Sequence, residues 1–531
     1  VLFIDADAQP FAQVYSWLAD KPWRPTRWGS KPEGVVLGSL VHGLGAAFGL
    51  DAAAHANLET LLKRWYEAAR DDYEEANLVG DYYRLLSSLS VGDWVESDDA
   101  VLVARLGAAA RFSNLLADFE NATKRARYHQ EDGRVRGGIQ GGLRLYRRLH
   151  EFMQYYALDS YEGFAGEESL DYNAVTVSTV HSAKGLQWPI VFIPALTQKR
   201  FGRVREDKQE YLLPEGLFDR DRYAGSQDDE ARLFYVAVTR ARDAAYISRF
   251  ESTEKQSQGM SVFWRHAAQV VGAVDEPPPI KPPADRGRPP DAELPLISFS
   301  QLAAYDACPL SYRLRQLVGF QPLLARELGY GKAVHHILRR IGDAVKAGEG
   351  VPSGQDLQDV IDQEFFLPFA NKPAFEQMSS SASRLVTEFV EGHREELEHI
   401  WEIERPFELH IPNATVVGRA DVILDPEGDL RMQIVDYKTA TADDTRIHEY
   451  QLQIYTSAGR REGVTVDGAL LMDLTKTQPQ EVPVGQREIA AAESWAGDAV
   501  SGIQGRRFRA KPKKETCKFC DVSTVCPRAV P

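Results

Sequence analysis

The sequence predicts an α/β protein built in two blocks. Three observations predict it: helical periodicity dominates residues 50 to 160, short apolar runs alternate with helical runs later in the chain, and a proline-rich segment separates the blocks. At 531 residues the chain exceeds what one hydrophobic core organises, and its 44% hydrophobic content is ordinary for a folding sequence. No run of about eighteen apolar residues occurs, so no membrane contact is expected. The N-terminus also lacks the basic, apolar, small order of a secretory signal, and the expected location is cytoplasmic. The formal charge of −15 opposes nucleic-acid binding by the chain as a whole, but local fields decide such contacts. Arg506, Arg507, Arg509, Lys511, Lys513 and Lys514 form a basic run against that average.

The stretches 57–76, 98–129 and 143–161 carry apolar residues at three-and-four spacing and predict helices. Tyr146, Phe152, Met153 and Tyr156 form an aromatic stripe expected in the helical core, with Arg144, Arg147 and Arg148 on an exposed flank. The period then changes. Ala174 to Val180 and Ile190 to Ile193 predict strands joined through SAKGLQW, and DDEARLFYVAVTRARDAAYISRF predicts a helix through Ala241 followed by a strand from Ala245 to Ser248. Residues 274 to 295, VDEPPPIKPPADRGRPPDAELP, hold too much proline and charge for a helix or a core and predict a semi-extended connector.

Beyond the connector, residues 296 to 320 predict a helix that has Ser298 or Ser300 as N-cap and delivers Cys308 into the fold. A second helix opens at Gly331 and buries Val334, Ile337, Leu338 and Ile341, with His335 at the edge of that face. Val417 to Ile423 and Gln433 to Thr439 predict two strands of a hairpin turning at Gly428. Asp436 and Lys438 are two apart and share a strand face, and the hairpin brings Asp421 alongside. Ile434 and Val435 imply a buried strand, from which charges do not normally project. Two carboxylates and an imidazole within reach of one another can hold one or two Mg²⁺ or Mn²⁺ ions, and a lysine beside them supplies charge to a pentavalent phosphorus. Gln451 and Tyr455 lie four apart on one face of a following helix.

The four cysteines of the chain, Cys308, Cys517, Cys520 and Cys526, are far too few for a disulfide scaffold. The C-x2-C-x5-C group suits metal ligation in a reducing compartment, and on spacing alone four sulfurs satisfy either a [4Fe-4S] cluster or zinc. Ligating both ends of one block removes much unfolded-state entropy.

Two motifs carry a resemblance. Val180 to Trp188, VHSAKGLQW, resembles the fifth motif of superfamily 1 DNA helicases of the UvrD/RecB type, and Leu233 to Arg242, LFYVAVTRAR, resembles the sixth. The likeness implies a partial helicase: a mostly helical 2B-like region over 1–170, a 2A-like region with both motifs over 171–272, and a linker over 273–295. It further implies that Thr179 and His181 meet the DNA backbone and that Gly185, Gln187 and Arg240 serve ATP, Arg240 as the phosphate-sensing arginine. Gln187 stands where this family usually has Glu. The sequence contains neither G-x-x-x-x-G-K-[ST] nor an acidic Walker B box. ATP hydrolysis is therefore expected only with a missing N-terminal helicase half or a partner helicase subunit.

Residues 296–531 resemble the RecB-type branch of the PD-(D/E)XK nucleases. The resemblance implies His335, Asp421 and Asp436 as metal ligands and Lys438 as the catalytic lysine. Gln451 and Tyr455 match its Q-x-x-x-Y element, and Gly418 matches the glycine before the first catalytic aspartate. The cysteine spacing resembles the iron-sulfur staple of AddB-type nucleases, which favours [4Fe-4S] over zinc. The expected function is the C-terminal portion of an AddAB/AdnAB-like helicase-nuclease that degrades DNA ends or single-stranded tails in repair or foreign-DNA defence, with Arg506, Arg507 and Lys513 on the DNA. The alternatives are an autonomous Mg²⁺- or Mn²⁺-dependent exonuclease on a degenerate helicase-like platform, and a structural component of a two-chain complex.

Overall fold

Helix capping and aromatic packing organise the first block. Asp51, Asn77 and Asp99 each accept backbone amides at the start of the helices Ala52–Ala68, Leu78–Ser88 and Ala100–Lys124. Phe11, Tyr15, Tyr82 and Phe112 meet between them with ring centroids 5.1 to 5.7 Å apart. The computed structural model describes the chain apart from residues 1–7, 26–30, 73, 98, 126, 130–133, 137, 158–174, 182, 184–185, 199–200, 202–226, 255, 273, 275–293, 326–327, 440–444, 477 and 531. Most of the proline-rich connector thus lies outside the described residues, as do Ala174 and Gly185. The chain divides into two units: Val1–Leu170 together with Leu294–Pro531, and Asp171–Glu293.

Three helical expectations in the first block need correction, the first being that the helix expected over 57–76 spans Ala52–Ala68, with Asn77 capping the next. The helix expected over 98–129 ends at Lys124, and Arg127–His129 pairs instead with Arg134–Arg136 as a short antiparallel ribbon. The helix Gly142–Glu151 passes into a π-turn over Phe152–Tyr156, closed by the Ala157 amide on the Phe152 carbonyl at 2.9 Å. The extra residue per turn rotates the register, so Tyr146 and Met153 are buried as expected whereas Tyr156 is 72% exposed.

The helical core recruits residues from far along the chain. Leu310, Leu314, Val318 and Phe320, which follow Cys308, are buried in it together with Val522 and Val525 from the C-terminal tail. Arg313 is buried at the junction and donates to the carbonyls of Val95 and Ser97, both at 3.1 Å. The Ser298 N-cap is present as a capping box with Gln301. The expected single helix over 296–320 is broken, however: Phe299–Ala307 ends at Cys308 because Pro309 cannot donate, and the chain restarts as Pro309–Tyr312 and a π-turn closed by Gly319 at φ +94°.

In the second unit, Trp188–Ile193 pairs in parallel with Ala241–Ile247, and the helix Gln227–Thr239 precedes the latter strand. Ile193, Leu196, Ala237 and Phe263 form its core. The described part of the strand expected over 174–180 is irregular, with Val175 and Val177 exposed and no paired strand among the described residues. The helix stops at Thr239 and the strand starts at Ala241 rather than Ala245, because the Trp188 amide donates to the Arg240 carbonyl at 2.9 Å and draws the chain into the sheet there.

A six-stranded mixed sheet dominates the rest of the first unit. Its order is Gln480–Val482, Val466–Asp473, Met432–Lys438, Ala414–Leu424 and Leu296–Ser298, with Ile400–Ile411 also paired to Ala414–Leu424. The helices Thr445–Arg461 and Gln486–Gln504 pack with Val416 and Ala420. Val422 and Leu424, of the same parity, pack instead with Tyr330–Lys346, Gly354–Glu364 and Lys372–Gly392. One strand therefore serves both cores, and it changes face at Asp421. The register pairs Ile403 with Val422 and Arg405 with Ala420, which leaves Glu404 opposite Asp421 at φ +51°.

Because the segment after Cys308 lies in the helical core, truncating it should loosen both parts of the first unit. Leu314 is fully buried, so Leu314→Ala is expected to cost about 2–5 kcal/mol in denaturant unfolding. A loss below about 1 kcal/mol would contradict the shared core.

Candidate active site

The strand change at Asp421 makes the site. Ladder pairing between Ala414–Leu424 and Met432–Lys438 covers Val422↔Val435 to Leu424↔Gln433 and then stops. Where the next ladder bond would form, the Tyr437 amide donates to Asp421 Oδ2 at 2.8 Å. Asp421 Oδ1 lies 3.3 Å from His335 Nδ1, which comes from the helix Tyr330–Lys346 with Val334, Ile337, Leu338 and Ile341 buried as expected.

From the neighbouring strand Asp436 projects into the same space, its side chain 5% exposed. Oδ1 accepts from Gln451 Nε2 at 3.1 Å, and that nitrogen also lies 3.3 Å from the Tyr455 hydroxyl. Oδ2 forms a 2.6 Å ion pair with Lys438 Nζ. The sequence expectation that His335, Asp421, Asp436, Lys438, Gln451 and Tyr455 meet corresponds to one connected series of contacts. Gly418 is the condition for it: a Cβ there would stand 2.2 to 2.5 Å from atoms of the Tyr455 ring.

Electrostatics follow from the burial. Desolvation pushes the Asp436 carboxyl up to about 6, with Lys438 opposing and Asp421 reinforcing the shift. For His335 burial works against the charged ring, but its hydrogen bond to Asp421 and the fields of Asp421 and Asp436 outweigh it and raise its pKa. Burial likewise raises the Tyr455 hydroxyl.

Beside His335 opens a cavity of about 370 Å³ lined also by Gly331, Lys332, His336, Arg339 and Glu404. Sequence reasoning missed Lys332, although its position three before His335 puts both on one helix face. It also missed Glu404, for which only the strained backbone at a strand position is a signal, and strain is invisible in composition.

The other expected residues sit elsewhere. Cys308, Cys520 and Cys526 pack against the helical core, and all four thiols are free and half-buried. Burial, together with the other three cysteines, raises the Cys526 thiol, so the four lie within electrostatic reach of one another. Among the described residues no group of three or more His, Cys, Asp or Glu side chains is drawn close enough to hold a metal ion as placed. Arg506, Arg507 and Lys513 are exposed on the C-terminal tail.

In the second unit His181 and Gln187 are exposed, and the Thr179 carbonyl accepts from the Ala183 amide at 3.0 Å. Arg240 donates from Nη1 to the Leu186 carbonyl at 2.9 Å, from Nε to Val236 at 3.0 Å and from Nη2 to Thr239 Oγ1 at 3.1 Å. The two sequence motifs of this unit therefore touch, through one guanidinium.

The PD-(D/E)XK nuclease superfamily matches residues 296–527, and the UvrD-like helicase C-terminal domain matches residues 52–252. The gene 69 protein of Mycobacterium phage D29 is 27% identical over 271 residues, covering 44% of this chain and 97% of its own length. ATP-dependent DNA helicase srs2 of Schizosaccharomyces pombe is 36% identical over 104 residues, 20% of this chain and 9% of the helicase. One subunit of the ATP-dependent helicase/nuclease of Leuconostoc mesenteroides subsp. mesenteroides is 28% identical over 238 residues, 41% of this chain and 17% of its own length. The chain thus matches less than a fifth of either of these two larger proteins. No described helix is long and apolar enough to cross a membrane. With motifs and site geometry falling inside the matched regions, the chain carries a UvrD-like helicase C-terminal domain and a PD-(D/E)XK nuclease domain, homologous to the Leuconostoc helicase/nuclease.

Proposed function

We propose that this chain cuts DNA by metal-assisted phosphodiester hydrolysis as part of an ATP-dependent helicase-nuclease acting on DNA ends or single-stranded tails, in repair or in defence against foreign DNA. The observation that carries the reading is the connected series from His335 through Asp421 and the Tyr437 amide to Asp436, Lys438, Gln451 and Tyr455. Burying the Asp436 carboxylate in the field of a second carboxylate is costly for a purely structural role, even with Lys438 beside it. Two carboxylates and an imidazole in one connected series supply the oxygen and nitrogen donor types that a hard divalent cation takes.

In this reading His335, Asp421 and Asp436 hold Mg²⁺ or Mn²⁺, which when bound supplies an activated water and stabilises the leaving oxygen. Lys438 keeps a positive charge where the phosphoryl oxygens gain negative charge. Gln451 fixes Asp436 through Oδ1, and Tyr455 in turn steadies Gln451. The four cysteines hold a [4Fe-4S] cluster, zinc being the other metal that suits four thiolates. Arg240, Gln187 and Gly185 serve ATP once the motor half is present, in the same polypeptide or on a partner chain. Thr179, His181, Arg506, Arg507 and Lys513 meet the DNA backbone, and the work is done in the cytoplasm. The regions 1–170, 171–272 and 296–531 act as the 2B-like, 2A-like and nuclease parts.

Asp436→Asn should lower Mg²⁺-dependent cleavage of linear DNA by about a hundredfold or more. It should also stabilise the metal-free chain. The folded value near 6 lies above the ordinary carboxylate value of about 3.9, so the contribution of Asp436 is whole below that value and is lost as pH rises through about 6. The raised His335 has the same sign, losing its contribution as pH rises through its folded value. Thermal unfolding should therefore show Asp436→Asn ahead of wild type by roughly 1–3 kcal/mol at about pH 8 and by little at about pH 4. Wild-type cleavage by this variant would sink the assignment.

Gly418→Ala should displace the Tyr455 ring and impair cleavage more than folding, a split read by comparing turnover with melting temperature. Unchanged turnover would count against a role for Tyr455. Anaerobically purified protein should contain about four irons and as many sulfides per chain. Stoichiometric zinc without iron would replace the cluster by a zinc site.

A further inference from the structure

Between the C-terminal tail and the helical block lies a cleft of about 510 Å³ lined by Glu96, Arg313, Arg506, Phe508, Arg509 and Arg528, together with Ala510 and Pro512. Four guanidiniums face one carboxylate there, on a chain whose formal charge is −15. The arginines come from two distant stretches of sequence, the segment after Cys308 and the C-terminal tail, so the fold gathers them, and a local excess of one sign in a concave wall focuses its field.

Each cation has a distinct setting. Arg313 is buried and tied to the Val95 and Ser97 carbonyls, which makes it a rigid floor. Arg528 grips Glu96 in a two-pronged contact of 2.9 to 3.2 Å, the geometry in which guanidinium also takes a phosphate. Arg509 is exposed and has no hydrogen-bond or ion-pair partner among the described residues. Phe508 is half-buried, stacked on Tyr312 at 6.4 Å and edge-on to Tyr305 at 6.3 Å, so its ring is held firmly at the wall of the cleft.

We propose that this cleft binds a phosphodiester segment of single-stranded nucleic acid, and that Glu96 is an internal competitor holding Arg528 until a phosphate displaces it. Cations that track a backbone beside a fixed aromatic ring are the makeup of a single-strand groove, since an unpaired base has a free face to stack and a duplex does not. The proposal rests on the nuclease reading and gives its substrate a second contact. Positive groups continue from the cleft toward the helix that carries Gln451 and Tyr455. Lys511 donates to the Asp306 carbonyl at 2.8 Å, and Arg446, at the start of that helix, reaches the Asp306 carboxylate at 3.5 Å.

The test is fluorescence anisotropy of labelled oligothymidine with the full chain in divalent-free buffer, with a duplex of the same length as control and oligouridine to distinguish DNA from RNA. Arg509→Glu should weaken oligothymidine binding about three- to tenfold and reduce the slope of log affinity against log salt by about 0.7 per lost phosphate contact. Glu96→Gln should act with the opposite sign, tightening binding, which a merely structural ion pair would not do. Duplex binding should change less than that of the single strand. Unchanged oligothymidine affinity in Arg509→Glu, weaker affinity in Glu96→Gln, or an equal loss for duplex would overturn the proposal. Cleft effects in a protein that cuts no DNA under any divalent condition would instead fail the nuclease reading and leave the cleft standing.

Discussion

Asp421 sits where a strand stops behaving as one. Its carboxylate takes the Tyr437 amide that the ladder would otherwise bond, satisfying a buried donor while letting the two strands part. That substitution lets the strand pass from one helical core to the other, leaves Glu404 opposite in a left-handed conformation, and opens the space into which Asp436 projects. The rest of the site depends on it. His335 is held against one Asp421 oxygen, and Asp436 is raised by burial in the gap and further by the field of Asp421, so the sheet irregularity and the electrostatics share one cause.

A local irregularity of this kind needs stiff surroundings. Ile434 and Val435 are fully buried on opposite faces, so the strand bearing Asp436 is clamped between two cores and cannot turn its carboxylate to solvent. Gly418 removes the one Cβ that would keep Tyr455 from closing over the gap. On the other side of the unit, the segment after Cys308 and the tail around Cys520 and Cys526 are held in the helical core. Fastening the two ends of the nuclease region against the helical core limits the ways in which it can open.

How much of this is legible in the sequence depends on whether local spacing decides the outcome. Period-two spacing of Asp436 and Lys438, period-four spacing of Gln451 and Tyr455, and the capping box at Ser298 are local, and each appears where the spacing puts it. Tyr156 departs from its expected burial because a π-turn adds a residue that no periodicity announces, and the helix expected after Ser298 breaks at Pro309 because proline ends such hydrogen bonding. The irregular 175–179 segment reads as a strand from Val175 and Val177, but a strand also needs a partner edge, which is a tertiary matter. The Arg528–Glu96 contact, 432 positions apart, cannot be read from composition at all.

The most direct measurement of the central claim is a carbon-13 NMR titration of the Asp436 carboxyl in the metal-free chain, repeated with Mg²⁺. The expected result is a midpoint near 6 without metal, set mainly by burial, that falls toward or below the ordinary carboxylate value when the divalent ion binds. A midpoint at the ordinary value of about 3.9, insensitive to Mg²⁺, would contradict the picture of a buried, metal-ready carboxylate at the point where the sheet parts.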